Sequence, residues 1–494
     1  MAETTSTGAG EPAAAVRLSF PHAPGSSREL PLTVLWSSGI VLLASTILRT
    51  ILFYRLGTQL DSVSGAWAAL ADDLCRGTFY RPVLGPLGFG GTRAFPLYFT
   101  LHALLIRCGM GLTASGYVLS GLSGLLVVGG TCLLLRRLCV PLGLAVLSSL
   151  WILAPQGTSR ALASFHPDLL AIGLEVCGIA VCLRSQNLRR IMLAGVLFAL
   201  AFAAKMTAVS APAAVFLYWI TSHKTKAALQ LGSVSGFLGA AVLAAMQLAS
   251  NGRALHILFA SGGTSPRWLL LSAISFWQVL LYEPVVAAFV VLAAFLALKQ
   301  ADGPARFATV WFVCSLAVTI LIYAAPGAAT NHLLELQVAA MLVMGTALAR
   351  GDRRRLAWMV SALILLASLL NLQGIRHAPN KLANIRQALQ AAGTNGPILA
   401  ENPLLPILAG EQPRVLDPFM LNLLAKQHPE IRTAFNAELE QRRFAAVILD
   451  HNRDTPETRR WYATSQFGGD FLQELQANYV RVAAPGPFAV FKPR

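Results

Sequence analysis

Residues 60–105 read LDSVSGAWAALADDLCRGTFYRPVLGPLGFGGTRAFPLYFTLHALL. Three acids, Asp61, Asp72 and Asp73, share this stretch with a cluster of glycines and a run of aromatics. An apolar segment at 32–53, long enough to cross a bilayer, comes immediately before it. Which side of a membrane these acids occupy decides how the rest of the chain is read.

The whole chain belongs in a membrane by composition. Of its 494 residues 55% are hydrophobic and only 13% charged, with a mean hydropathy of +0.58. A soluble domain carries about 25% charged residues. Net charge is +16. The cations gather in short clusters between apolar runs, as cytoplasmic loops require, and form no basic stripe interleaved with aromatics. Nucleic acid is therefore not an expected partner. The seven cysteines show no metal-ligand spacing, and Cys132, Cys177, Cys182 and Cys314 fall within apolar segments. Residues 1–30 are too polar for a signal peptide and read as a disordered cytoplasmic tail.

Topology follows from the cations. Clusters stand at Arg136-Arg137, at Arg184 with Arg189-Arg190, at His223-Lys224 with Lys226, at Lys299 with Arg306, and at Arg350 with Arg353 to Arg355. If all are cytoplasmic, an even number of crossings separates each from the next. Between Arg190 and His223 lies one apolar stretch, which satisfies parity only as two short helices bent near Lys205 and Pro212. Repeating this step yields about eleven crossings, with the N-terminus inside and the C-terminus outside. The outward loops are then 54–113, 250–283 and 325–331. From about residue 373 the composition changes to short strands and an amphipathic helix. The expected architecture is a polytopic α-helical membrane domain over 31–372 and a small extracytoplasmic α/β domain over 373–494.

The acids of the opening stretch thus face outward. Their loop is too long for a mere connector. Its second half, AFPLYFTLHALLIRCGMG, reads as an interfacial helix, because a full span would put Arg136-Arg137 outside. Asp61 is either a functional carboxylate or a helix cap. Asp72-Asp73 read as a solvated helix face rather than a metal pair. The glycine-rich RPVLGPLGFGGTR offers backbone N–H groups, with Arg81 and Arg93, to an anion, or simply makes turns. Asp168, beside His166 in FHPDLLAIGL, is a helix-start acid or a site acid. Lys205 is an ammonium in an apolar stretch and needs a counter-charge or a wet cavity. In TNHLLEL, His332 and Glu335 share one helix face.

Together these features resemble the membrane-embedded glycosyltransferases of the C superfamily, especially the bacterial branch of protein mannosyltransferases and the lipid A aminoarabinose transferase. The resemblance rests on the acid at Asp61, on RGTFYRP, FPLYF, HPDLLA, AAKMTA and NHLLEL, and on the outer domain. It implies transfer of a monosaccharide from a polyprenyl-phosphate donor to an acceptor hydroxyl at the outer face of a bacterial cytoplasmic membrane. By position it makes Asp61 the general base and Asp168 the second acid. Lys205, Arg93 and Arg81 are then cations for the phosphate, and His166, Tyr80, His332 and Glu335 line the substrate site. No cofactor is required, and a divalent metal is left open. Ser62 directly after Asp61, and His166 where relatives often carry Arg, depart from the mannosyltransferase pattern. A transporter or flippase is the rival from another class. It predicts polar pairs near the membrane midplane and inverted repeats, neither of which is read from the sequence. A non-catalytic scaffold for the outer domain is the second rival.

Overall fold

Long apolar runs become helices because a backbone in lipid must satisfy its own hydrogen bonds. The computed structural model describes residues 29–260, 268–300, 303–325, 327–350, 353–393 and 396–494. The tail expected over 1–30 lies outside them, except for two residues that already belong to the first helix. Helix α1 (Glu29–Leu56) leads to α2 (Ser62–Cys75), a hairpin of β1 (Leu84–Gly85) and β2 (Gly88–Phe89), and α3 (Pro96–Arg107). Next come α4 (Leu112–Arg137), α5 (Leu142–Leu150), α6 (Gln156–Leu162), α7 (Asp168–Arg184), α8 (Leu188–Ala204), α9 (Ser210–Thr221) and α10 (Thr225–Ala249). The helical part ends with α11 (Arg253–Ala260), α12 (Trp268–Tyr282), α13 (Pro284–Ala297), α14 (Gly303–Ile322), α15 (Leu333–Arg350) and α16 (Arg353–Arg376).

Among the described residues six helices are long and apolar enough to cross a membrane, or seven if α12 and α13, bent by 115°, count as one span. The other crossings expected from the sequence would fall to shorter helices, such as α7 and α8 with 17 residues each. Helix α15 is buried on nearly every side and forms the axis of the bundle. Leu229, Phe237 and Leu248 on α10, and Leu269, Trp277 and Leu281 on α12, are instead exposed, as lipid-facing residues are.

The chain breaks between α8 and α9, over 205–209, where the sequence places a bend. Gly195 of α8 meets Val234 of α10, and Phe202 lies with Val242 and Met246 further along it. Gly232 of α10 meets Phe216 of α9. Helix α8 therefore runs parallel to α10 and α9 antiparallel, so the two short helices form an ascending and a descending limb. The expected outward loop at 250–283 is largely helical, being occupied by α11 and α12.

The C-terminal part begins later than the composition suggests, since α16 continues to Arg376. It comprises α17 (Lys381–Ala392), β3 (Ile398–Ala400), α18 (Leu404–Leu408), α19 (Pro418–Ala425), α20 (Pro429–Glu440), β4 (Ala446–Leu449), α21 (Pro456–Thr464), α22 (Phe471–Asn478), β5 (Tyr479–Ala483) and β6 (Ala489–Pro493). The sheet order is β3-β4-β6-β5; β3 and β4 are parallel and the other pairs antiparallel. Within this strand-like composition the apolar run LLPIL forms α18, with Pro403 at its N-cap.

The glycine-rich hairpin, read as an anion cradle or as plain turns, stitches the two parts together. Phe89 donates its N–H to the Arg414 carbonyl at 2.8 Å and accepts from Leu416 N–H at 2.9 Å. Gly88 has φ +97°, and a side chain there would meet the Arg414 carbonyl at 2.1 Å. Arg81 belongs to the same seam. Its guanidinium grips Asp73 through both carboxylate oxygens at 2.5 Å and donates to the carbonyls of Leu87 at 3.1 Å and Pro413 at 2.6 Å. Two sequence expectations are corrected here. Asp73 is no solvated helix face, with only 2% of its side chain exposed, and Arg81 is no free anion ligand. Arg81→Met should cost about 3–5 kcal/mol, because it leaves the Asp73 carboxylate buried without its partner. Thermal unfolding of the purified protein measures this, and an unchanged transition would contradict it.

Candidate active site

Asp61 opens α2 and caps it by accepting from Ser64 N–H at 2.8 Å. The cap and the functional carboxylate, alternatives in the sequence, coincide in one residue, for 48% of the Asp61 side chain remains exposed. Ser64 also reaches across the chain. Its hydroxyl accepts the Phe165 N–H at 3.3 Å, while the Phe165 ring packs where Gly116 leaves room on α4. Ser120 of α4 donates to the Ser164 carbonyl at 2.6 Å. These anchors fix the turn before α7 and set the next residue, His166, beside Asp61.

His166 bridges the two acids. Nε2 lies 3.9 Å from Asp61 Oδ1 and Nδ1 lies 3.7 Å from Asp168 Oδ2. Burial pulls its pKa down, but the facing Asp168 and Asp61 carboxylates overcome this and raise it to about 9. Burial likewise pushes Asp61 up, and His166 and the Ser64 N–H outweigh it, holding the carboxyl at about 2. At neutral pH the pair is therefore imidazolium and carboxylate. A histidine raised from 6.5 to about 9 contributes stability that is complete below pH 6.5 and lost as pH rises through 9. His166→Gln should flatten that part of a stability-against-pH curve. A drop between pH 6.5 and 9 that persists in the variant would refute the assignment.

Asp168, with 1% of its side chain exposed, begins α7 and pairs with Lys205 through Oδ1, which also accepts from Asn331 Nδ2 at 3.0 Å. Lys205 occupies the break after α8 in extended conformation, which turns its ammonium into the cluster. Below it a cleft is lined by Glu175, Lys205, Thr207, Asn331, His332 and Glu335. Glu335 accepts from the Ser210 hydroxyl, and Ser210 in turn accepts from Trp311 Nε1 at 3.0 Å.

The structure thus joins Asp61, His166, Asp168 and Lys205 directly, with His332 and Glu335 in the cleft beneath. Arg93 stands at the rim, over the Phe419 ring at 5.2 Å and against the turn at Gly327. Two expected substrate contacts are used internally: Arg81 as described, and Tyr80, whose hydroxyl donates to the Ala94 carbonyl at 2.9 Å. Asn331, which precedes His332 in TNHLLEL, joins the cleft residues, and Glu175 was not among the expected site residues. Glu175 was legible, being an acid two helical turns after Asp168 on the same face of an apolar helix. It also supplies, with Glu335, a pair of acids within the helical part, a feature the transporter reading predicts. Among the described residues no three His, Cys, Asp or Glu side chains converge on a metal position, and Asp61 and Asp168 already face cations. A divalent metal does not fit this donor set.

Neither a protein-family model nor a curated protein matches the sequence. Solved structures do match. ArnT of Cupriavidus metallidurans bound to undecaprenyl phosphate superposes with a TM-score of 0.60 at 13% identity, over 92% of this chain and 97% of that one. ArnT in the apo state gives 0.58 over the same shares at 13% identity. The oligosaccharyltransferase of Archaeoglobus fulgidus gives 0.55 at 13% identity, over 92% of this chain and 73% of that one. The fold is thus shared with ArnT and with the archaeal oligosaccharyltransferase. The charged cluster sits where the helical bundle meets the first loop and the C-terminal part.

Proposed function

We propose that this protein transfers a monosaccharide from a polyprenyl-phosphate-linked donor to an acceptor hydroxyl, with inversion, at the outer face of the bacterial cytoplasmic membrane. In this reading the chain crosses about eleven times and carries its first loop and C-terminal α/β part outside, which the distribution of cations supports. The observation that carries the reading is the alignment of an accessible carboxylate, Asp61, with two half-buried cations, Lys205 and His166, in this fold.

The chemistry follows from charge. Asp61 takes the proton from the acceptor hydroxyl, and that oxygen attacks the anomeric carbon. The bond from this carbon to the phosphate oxygen breaks, and the polyprenyl phosphate leaves with the electron pair. Its developing charge needs preorganised cations. Lys205 is already balanced by Asp168, so the phosphate joins an ion pair held in place beforehand. His166 carries the second positive charge, and Arg93 closes the rim. The exposed apolar faces of α10 and α12 offer a surface for the prenyl chain beside the bilayer.

Proteoliposomes supplied with a panel of polyprenyl-phosphate sugars test the reading. At least one donor should be consumed, releasing polyprenyl phosphate. Consumption of none, with a substrate carried across the bilayer instead, would favour transport.

A further inference from the structure

Read from the sequence, Asp417, His428 and Asp450 of the C-terminal part are isolated residues. The structure corrects this for Asp450. It stands just beyond β4, and Glu401 stands just beyond β3, so both leave the carboxyl ends of two paired parallel strands. Open α/β sheets bind ligands at that edge. The edge faces the helical part, since Asn402, next to Glu401, donates from Nδ2 to the Leu60 carbonyl at 2.9 Å, one residue before Asp61.

The two acids differ in what they have left to offer. Glu401 is buried and saturated. It accepts from Trp461 Nε1 at 2.8 Å, from the Tyr462 hydroxyl at 2.6 Å and from the Asp450 N–H at 2.8 Å, and so positions Asp450. The Asp450 side chain keeps an unused acceptor. Its Oδ2 lies 3.7 Å from Lys381 Nζ, while Oδ1 is shielded and has no hydrogen-bond partner. An unmet acceptor atom in a shielded place is costly unless a ligand meets it. Lys381, at the start of α17, brings three N–H donors on a side chain that is 14% exposed.

A carboxylate with a spare lone pair beside an ammonium with spare protons complements two adjacent hydroxyls, one donating and one accepting. We propose, building on the transferase reading, that Asp450 and Lys381 bind the acceptor through a vicinal diol. The acceptor is then a carbohydrate, and the subsite presents another of its hydroxyls to Asp61. The C-terminal part selects the acceptor by direct contact, beyond shaping the way in.

The test uses the full chain in proteoliposomes with its lipid-linked donor. The acceptors are methyl glycosides of the gluco, manno, galacto and arabino series and a peptide containing Ser and Thr. At least one glycoside should accept sugar, and Asp450→Asn should raise its KM about tenfold or more with the donor KM unchanged. Lys381→Met should do the same, and it leaves the Glu401 contacts intact. A deoxy glycoside lacking one hydroxyl of the diol should be a poor acceptor for the wild type, and no poorer for the variants. Transfer to the peptide alone, or a glycoside KM that neither variant moves, overturns the proposal and leaves the transferase reading standing. Absence of any donor turnover overturns both.

Discussion

Replacing Asp61 with asparagine should lower sugar transfer by about 10²–10⁴-fold, the usual cost of removing a general base. Asparagine caps helices about as well as aspartate, so the bond from Ser64 N–H survives and the start of α2 stays in place. The loss should therefore fall chiefly on turnover, with binding of polyprenyl phosphate nearly unchanged and thermal stability lowered only by the loss of the partly exposed ion pair with His166. Asp61→Ala separates the two roles, since it adds a capping cost of about 1 kcal/mol to the same catalytic loss. Near-normal transfer by the asparagine variant would place the base elsewhere; Asp168 is poorly suited to replace it, because its Oδ1 is taken by Lys205 and Asn331 and only 1% of its side chain is exposed.

Lys205→Met should be costly in a different way. From the sequence alone Lys205 reads as a phosphate cation that needs a counter-charge or a wet cavity. In the structure it is also the partner of Asp168, only 1% of whose side chain is exposed. Removing one member of a buried pair leaves an uncompensated charge and costs about 3–5 kcal/mol. The single variant should thus lose both stability and donor use. Adding Asp168→Asn removes the stranded carboxylate and should restore much of the stability while transfer stays low. Thermal unfolding and the donor KM, measured on the two variants side by side, decide the matter. Equal instability of single and double variants would show that the pair is not what holds the break after α8.

The legible residues were those that stand out against apolar surroundings. Asp61, Asp168 and Lys205 are charges beside or inside membrane-length apolar runs, and a charge there needs a partner or a task. The bend after α8 was legible for the same reason, from cation parity. What the sequence hid depends on distance along the chain. Nothing in RPVLGPLGFGGTR distinguishes a loop that cradles an anion from one that docks on Arg414 and Pro413, because both uses need glycine and exposed backbone. Arg81 looked available because its partner Asp73 sits within an unremarkable acidic pair. Asp450 looked isolated because Lys381 and Glu401 reach it only once β3 and β4 pair.

The seam between the first loop and Pro413 joins residues 332 positions apart. During synthesis the loop leaves the ribosome first, and at roughly 5–20 residues per second its partner follows on the order of tens of seconds later. Through that interval the hairpin has no backbone partner at Phe89, and the Asp73–Arg81 pair lacks its cover. Premature termination before residue 413 would thus yield a helical bundle whose hairpin lacks its backbone partner. The seam makes completion of the chain a condition for a closed site.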